Sequence, residues 1–67
     1  MVITITFPGR TCDSKELYED LKPFNMNVTD CGTVIYVHSN DITANQIAGA
    51  LSVCDKYGSY QVEDLHE

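Results

Sequence analysis

The chain has 67 residues, which is enough for one sheet and two helices and too short for two separate cores. Ten acidic residues against four basic ones give a formal net charge of −6, and this charge disfavours direct binding to a phosphate backbone. Because no apolar run approaches the roughly 18 residues that span a bilayer, we expect a soluble, cytoplasmic protein without membrane contact.

The first half of the sequence predicts a strand, a helix and a β-hairpin. Residues 2–7 place Ile and Phe side chains on one face and Thr on the other, which is the period of a half-buried strand. Asp13 precedes Glu16 by three positions, the spacing of a capping box at a helix start. A short strand at 26–30 and a stronger one at 33–38, rich in β-branched and aromatic residues, then flank a turn.

The second half predicts another helix and a final strand. Thr43 and Gln46 have the spacing of a second capping box. Inside this helix Gly49 costs about 1 kcal/mol relative to alanine, so we expect a close approach to the sheet or to the partner helix there. Residues 59–65 alternate again and predict the last strand. Apolar residues at helical spacing predict the core face of the helix: Ala44, Ile47, Ala48, Leu51 and Cys54.

The order strand, helix, strand, strand, helix, strand is that of the ferredoxin-like sandwich, an α+β fold. We therefore expect residues 1–67 to form a single ferredoxin-like domain. Its sheet should be four-stranded and antiparallel, with strand order 4-1-3-2 and two helices on one face. We also expect the first and third strands to lie side by side in the middle of the sheet and to run parallel.

The loop after the first strand resembles a known metal-binding loop. Its residues Gly9-Arg10-Thr11-Cys12 match the first half of the Gly-Met-Thr-Cys-x-x-Cys motif of heavy-metal-associated domains, the copper-chaperone fold. The resemblance implies the same element order and nearly the same length. The chain departs from the motif because Lys15 replaces the second metal-binding cysteine and Arg10 replaces the methionine. Since cuprous copper needs two thiolates, the resemblance extends to the architecture and not to metal transport.

The three cysteines, Cys12, Cys31 and Cys54, are odd in number and widely spaced, which favours reduced thiols over a disulfide framework or a zinc knuckle. Cys12 directly precedes the predicted helix cap at Asp13, and we expect it to pack against Leu17 in a hydrophobic staple. Its predicted role is therefore structural, and we predict neither a cofactor nor a metal.

An alternative site combines Cys12 with His38. If the first and third strands are parallel, the loop with Cys12 meets the end of the third strand, with His38 and Asp41, at one edge of the sheet. A thiol, an imidazole and a carboxylate could bind zinc or form a nucleophile pair. The sequence shows neither a glycine-rich phosphate loop nor paired carboxylates at a convincing cleft, so we do not predict an enzyme.

The acidic residues are the remaining candidates for function. They crowd the outer side of the first predicted helix and the last strand, and tyrosine is enriched at interface hot spots. Such a patch matches a basic surface on a protein partner, for example a nucleic-acid groove, although a purely solvating role stays open. The predicted partner-binding residues are Glu16, Tyr18, Glu19, Asp20, Asp55, Glu63 and Asp64.

The leading interpretation is a small, non-catalytic interaction protein that docks on another protein through its acidic helix face or its exposed sheet. In size and charge it is similar to phage or mobile-element inhibitors of host machinery, including anti-CRISPR proteins, which implies the host cytoplasm. Two alternatives stay open. One is a degenerate heavy-metal-associated domain that binds a metal ion through Cys12, and the other is a homodimer formed through the edge strand at 26–30.

Overall fold

The computed structural model describes residues 1–9 and 12–66, so Arg10 and Thr11 of the motif discussed above lie outside the described residues. A single turn of 3-10 helix at Lys22–Phe24 follows the first helix. Within the described residues, neither helix has the length and apolar character needed to cross a membrane. The elements are β1 (Val2–Pro8), α1 (Ser14–Leu21), β2 (Asn27–Asp30), β3 (Val34–Ser39), α2 (Ala44–Asp55) and β4 (Gln61–His66).

The four strands form one sheet in the order β2-β3-β1-β4, and every neighbouring pair is antiparallel. The predicted strand order 4-1-3-2 is confirmed, but the parallel direction predicted for β1 and β3 is wrong. Ile3 pairs with Ser39 and Pro8 with Val34, so the end of β3 lies beside the start of β1. The reason is the β2–β3 hairpin. It reverses the chain, so the strand that runs parallel to β1 is β2, on the far side of β3.

The hydrophobic core lies on one face of the sheet. Side chains from both helices join this core, so both helices cover the same face. Burying each large apolar side chain contributes about 1.5–3 kcal/mol, which makes this layer the main source of stability. The buried hydrophobic residues are Ile3, Ile5, Phe7, Leu17, Leu21, Met26, Ile35, Val37, Ile42, Ala50 and Cys54.

Both helices begin where the capping residues predict. The Asp13 carboxylate accepts a hydrogen bond of 2.9 Å from the backbone amide of Lys15, so Asp13 is the N-cap of α1. A capping box would require a hydrogen bond from the amide of Glu16, one position later. At α2 the box is complete. The Thr43 hydroxyl accepts a hydrogen bond of 3.2 Å from the backbone amide of Gln46, and the Gln46 side chain accepts one of 3.0 Å from the backbone amide of Thr43.

The core face of α2 differs from the predicted one. Cys54 is buried as predicted, but Ala44 and Ala48 are exposed, while Ala50, which was not predicted, is buried. The helix is therefore rotated about its axis, and part of its apolar surface lies outside the core.

Gly49 lies on the side of α2 that faces the 3-10 helix. A Cβ atom at this position would lie 2.8 Å from Cδ1 and 3.0 Å from Cζ of Phe24, closer than real side chains pack. A close approach is therefore present at Gly49, but the neighbour is the aromatic ring of Phe24 in the 3-10 helix, and the approach predicted to the sheet or to the partner helix is wrong. Because the ring lies against the bare backbone here, α2 approaches Phe24 more closely than a side chain at position 49 would allow.

Candidate functional site

The acidic residues of α1 lie on the side opposite the core. Glu16, Glu19 and Asp20 are all exposed. With about 3.6 residues per turn, Glu16 and Asp20 share one flank of the helix, whereas Tyr18 lies on the other flank, near Lys22. The structure therefore groups the three carboxylates as predicted but places Tyr18 apart from Asp20.

Tyr57, which sequence reasoning missed, holds one of these carboxylates in place. Its hydroxyl donates a hydrogen bond to the carboxylate of Asp20, 37 positions earlier in the chain. This bond, followed by burial and by the negative charges of Asp20 and Glu16, raises the pKa of Tyr57 to about 12. No local pattern in the sequence predicts this contact, because it joins α1 to the turn that follows α2.

Removing this carboxylate is expected to lower the pKa of Tyr57. In Asp20→Ala the pKa should fall toward the ordinary value of 10.0, as measured by tyrosinate absorbance during an alkaline titration, with Tyr57→Phe identifying the signal. The matched control is Glu19→Ala, which removes the same charge without the hydrogen bond and should leave the titration nearly unchanged.

The hydrogen bond favours the neutral phenol, so its contribution to stability is fully present below the unfolded pKa of 10.0 and is lost as the pH rises through about 12. Identical titration curves for Asp20→Ala and Glu19→Ala would show that the bond does not form in solution.

Asp55 lies apart from the carboxylates of α1. It is exposed at the end of α2 and interacts with Tyr60, whose pKa is raised by burial and then by this carboxylate. The Tyr60 ring packs against Phe7 with 5.9 Å between ring centroids. Asp55 therefore stands beside the segment that leads into β4.

The two acidic residues of β4 project from the open face of the sheet, the face that the helices do not cover. Glu63 accepts a hydrogen bond of 3.0 Å from the hydroxyl of Thr6, and Asp64 pairs with Thr4. Nδ1 of His66 lies 3.2 Å from Asp64. Because the helices cover the other face, the seven predicted residues do not form one patch, and those of α1 and β4 lie on opposite sides of the sheet.

An irregularity in β4 changes which side chains share a face. The register shifts between Thr4 and Ile5 of β1, so Ile5 pairs with Val62 and Ile3 pairs with Leu65, with the extra residue Glu63 forming a bulge. Val62 and Leu65 consequently both point to the helix side, where they are 44% and 52% exposed. Strict alternation would have put them on opposite faces, so this pair could not be predicted from the alternation of residues alone.

The alternative site at Cys12 and His38 is wrong as a geometric prediction. His38 pairs with Thr4 near the start of β1, whereas Cys12 follows the end of that strand. Nε2 of His38 lies 3.2 Å from the hydroxyl of Thr29. Asp41, expected at the same edge as Cys12, also lies at the His38 end of the sheet, and its backbone carbonyl accepts a hydrogen bond. Among the described residues, no group of three or more His, Cys, Asp or Glu side chains could hold a metal ion.

The thiols differ in their surroundings. Cys12 is half-buried and packs against the core, as the sequence predicted, and Cys31 is exposed. Cys54 is buried, and burial, with smaller contributions from Asp55 and Cys12, raises its pKa to about 12. Because the thiolate is the reactive form, Cys54 is inert near neutral pH.

The described part of the chain contains no pocket. Comparison of the chain with protein-family models, with curated proteins and with solved structures finds no match. Function is therefore inferred from the exposed surface of this molecule.

Proposed function

We propose that this chain is a small, acidic, non-catalytic module that binds the basic surface of another protein. The observation that supports this function is the group of exposed carboxylates on α1, Glu16, Glu19 and Asp20, of which Asp20 is held by Tyr57. Between described residues, no lysine forms an ion pair with these carboxylates. Their charge is therefore available to a partner.

A basic partner surface fits this arrangement for two reasons. Complementary charge speeds diffusional encounter and selects the partner, and the net charge of −6 provides a field of one sign. The bond from Tyr57 restricts Asp20 before binding, which lowers the entropy lost when a partner orders that side chain. A protein that binds nucleic acid offers such a surface, and we propose an inhibitor of this kind, of phage or mobile-element type and anti-CRISPR-like, acting in the host cytoplasm.

We propose a ferredoxin-like assignment for the fold, and with it the architectural resemblance to heavy-metal-associated domains. The order of the elements and the sheet order β2-β3-β1-β4 support this assignment. The metal-binding alternative would depend on Cys12 without His38, which lies at the other end of the sheet. The homodimer alternative would use β2, an edge strand whose residues Asn27, Thr29 and Asp30 are exposed.

Reversing the charge of the α1 carboxylates is expected to weaken partner binding by at least about tenfold. Each exposed ion pair contributes about 0.2–1 kcal/mol, and a loss of 1.4 kcal/mol corresponds to a factor of ten. The partner would be captured from host lysate with the full chain and identified by mass spectrometry. Its affinity for the variant Glu16→Lys/Glu19→Lys/Asp20→Lys would then be measured at several salt concentrations.

Cys12→Ser serves as the control and should bind as the unmodified chain does. Binding should also weaken as salt rises, because the charges are exposed to solvent. If the charge-reversed variant and high salt both leave the affinity unchanged, the acidic surface is not the binding site. A metal titration with tight one-to-one binding that disappears in Cys12→Ser would support the metal-binding alternative instead.

A further inference from the structure

β4 forms an open edge of the sheet. It pairs with β1 on one side, and all six of its residues are exposed. The other edge strand, β2, is four residues long and contacts α1. An edge strand presents backbone groups that a further strand can pair with, and β4 is the longer edge of the two.

Two exposed apolar side chains of β4 lie on the helix side of the sheet. Val62 pairs with Ile5 and Leu65 pairs with Ile3, and both partners are buried in the core. Val62 is 44% exposed and Leu65 is 52% exposed, so this side of β4 offers apolar surface to a further strand.

The opposite side of β4 is acidic. The carboxylates of Glu63 and Asp64 lie on the open face of the sheet, and β4 contains no lysine or arginine. If two copies paired antiparallel through β4, the four carboxylates would meet at the centre of the new pair, and like charges opposite each other destabilise a sheet. A second copy is therefore a poor occupant of this edge.

We propose that β4 receives an extended segment of the partner protein in which lysine or arginine alternates with apolar residues. In a strand, successive side chains point to opposite faces. The apolar side chains of the segment would cover Val62 and Leu65, while its basic side chains would meet Glu63 and Asp64. This inference depends on the proposed function, because it assigns one contact of the same acidic module and specifies the chemistry of the partner there.

The test uses the full ¹⁵N-labelled chain and a synthetic peptide of alternating lysine and valine, with a peptide of alternating glutamate and valine as the control. The lysine peptide should produce saturable shifts of amide signals in Gln61–His66 and protect from hydrogen exchange those amides of β4 that point away from β1. The glutamate peptide should not bind. Failure of the lysine peptide to bind, or shifts confined to α1, would overturn the assignment to β4.

Two variants with the same change in net charge distinguish specific binding at β4 from non-specific electrostatic attraction of the peptide. Glu63→Lys/Asp64→Lys should weaken peptide binding by about tenfold or more, whereas Glu16→Lys/Glu19→Lys should weaken it by less than about threefold. The charge-neutral variant Val62→Asn/Leu65→Asn should also weaken binding by about fivefold or more, because apolar contact is lost. Both of its positions are exposed, so the fold should persist and circular dichroism would verify this.

Equal losses in the two charge variants would overturn the inference, since the peptide would then respond only to net charge. A dimer detected by sedimentation and abolished by Glu63→Lys/Asp64→Lys would also overturn it, because the edge would already be occupied by a second copy. The proposed function is decided separately, by the affinity of the captured partner for the α1 variant. The β4 assignment and the general function can therefore fail independently.

Discussion

Phe7→Ala is expected to leave a large fraction of the protein unfolded at room temperature. Phe7 is fully buried in the core and packs against Tyr60. Truncating a buried phenylalanine costs about 3–5 kcal/mol, because apolar contact is lost and a cavity remains. A domain of 67 residues has a total stability of only about 3–10 kcal/mol at 0.05–0.15 kcal/mol per residue.

The loss would be measured by urea denaturation followed by circular dichroism. Tyr36→Ala is the matched control, because this aromatic residue lies on the open face of the neighbouring strand and is 37% exposed. It should cost about 1 kcal/mol or less. If both variants lost the same stability, β1 would not present Phe7 to the core, and the assignment of the two sheet faces would be reversed.

Gly49→Val is expected to destabilise the protein by about 1–3 kcal/mol, even though glycine is a poor residue for a helix. The new Cβ atom would fall within 2.8 Å of Cδ1 of Phe24, and the branched side chain adds two further methyl groups. Either the ring or the helix would have to move. Thermal and urea unfolding of the variant would measure the cost.

Ala48→Val is the matched control for this change, since it introduces the same side chain at the neighbouring exposed position of α2. It should cost about 0.5 kcal/mol, from helix propensity alone. In a Phe24→Ala background the penalty of Gly49→Val should shrink by about 1 kcal/mol or more, because the two sites interact directly. A penalty as small as that of Ala48→Val in the unmodified background would contradict the close packing at Gly49.

Local signals in the sequence were sufficient for the elements and their order. The cap at Asp13, the capping box at Thr43 and the alternation of β1 each depend on neighbouring residues. The direction of β3 relative to β1 was predicted wrongly, because it follows from the whole path of the chain. The β2–β3 hairpin and the crossover from β1 to β2 together set this direction.

The candidate site was predicted less well for a physical reason. The carboxylates of α1 follow from helix periodicity, but the bond between Tyr57 and Asp20 joins distant segments. The shared face of Val62 and Leu65 depends on a bulge, which shifts the alternation without a distinctive residue such as glycine. The contact between Gly49 and Phe24 likewise joins elements that are distant in sequence, so helix periodicity alone did not identify the ring as the neighbour.

β1 lies between β3 and β4 in the sheet although it is the first strand of the chain. Both of its partners are distant in sequence, as the pairing of Thr6 with Tyr36 and with Gln61 shows. Loop closure must therefore precede any pairing of β1, which places the folding rate below that of a helical bundle of equal size. Until then the alternating apolar side chains of β1 are exposed and can associate with other unfolded chains. Rapid refolding at low protein concentration should therefore give the highest yield of folded protein.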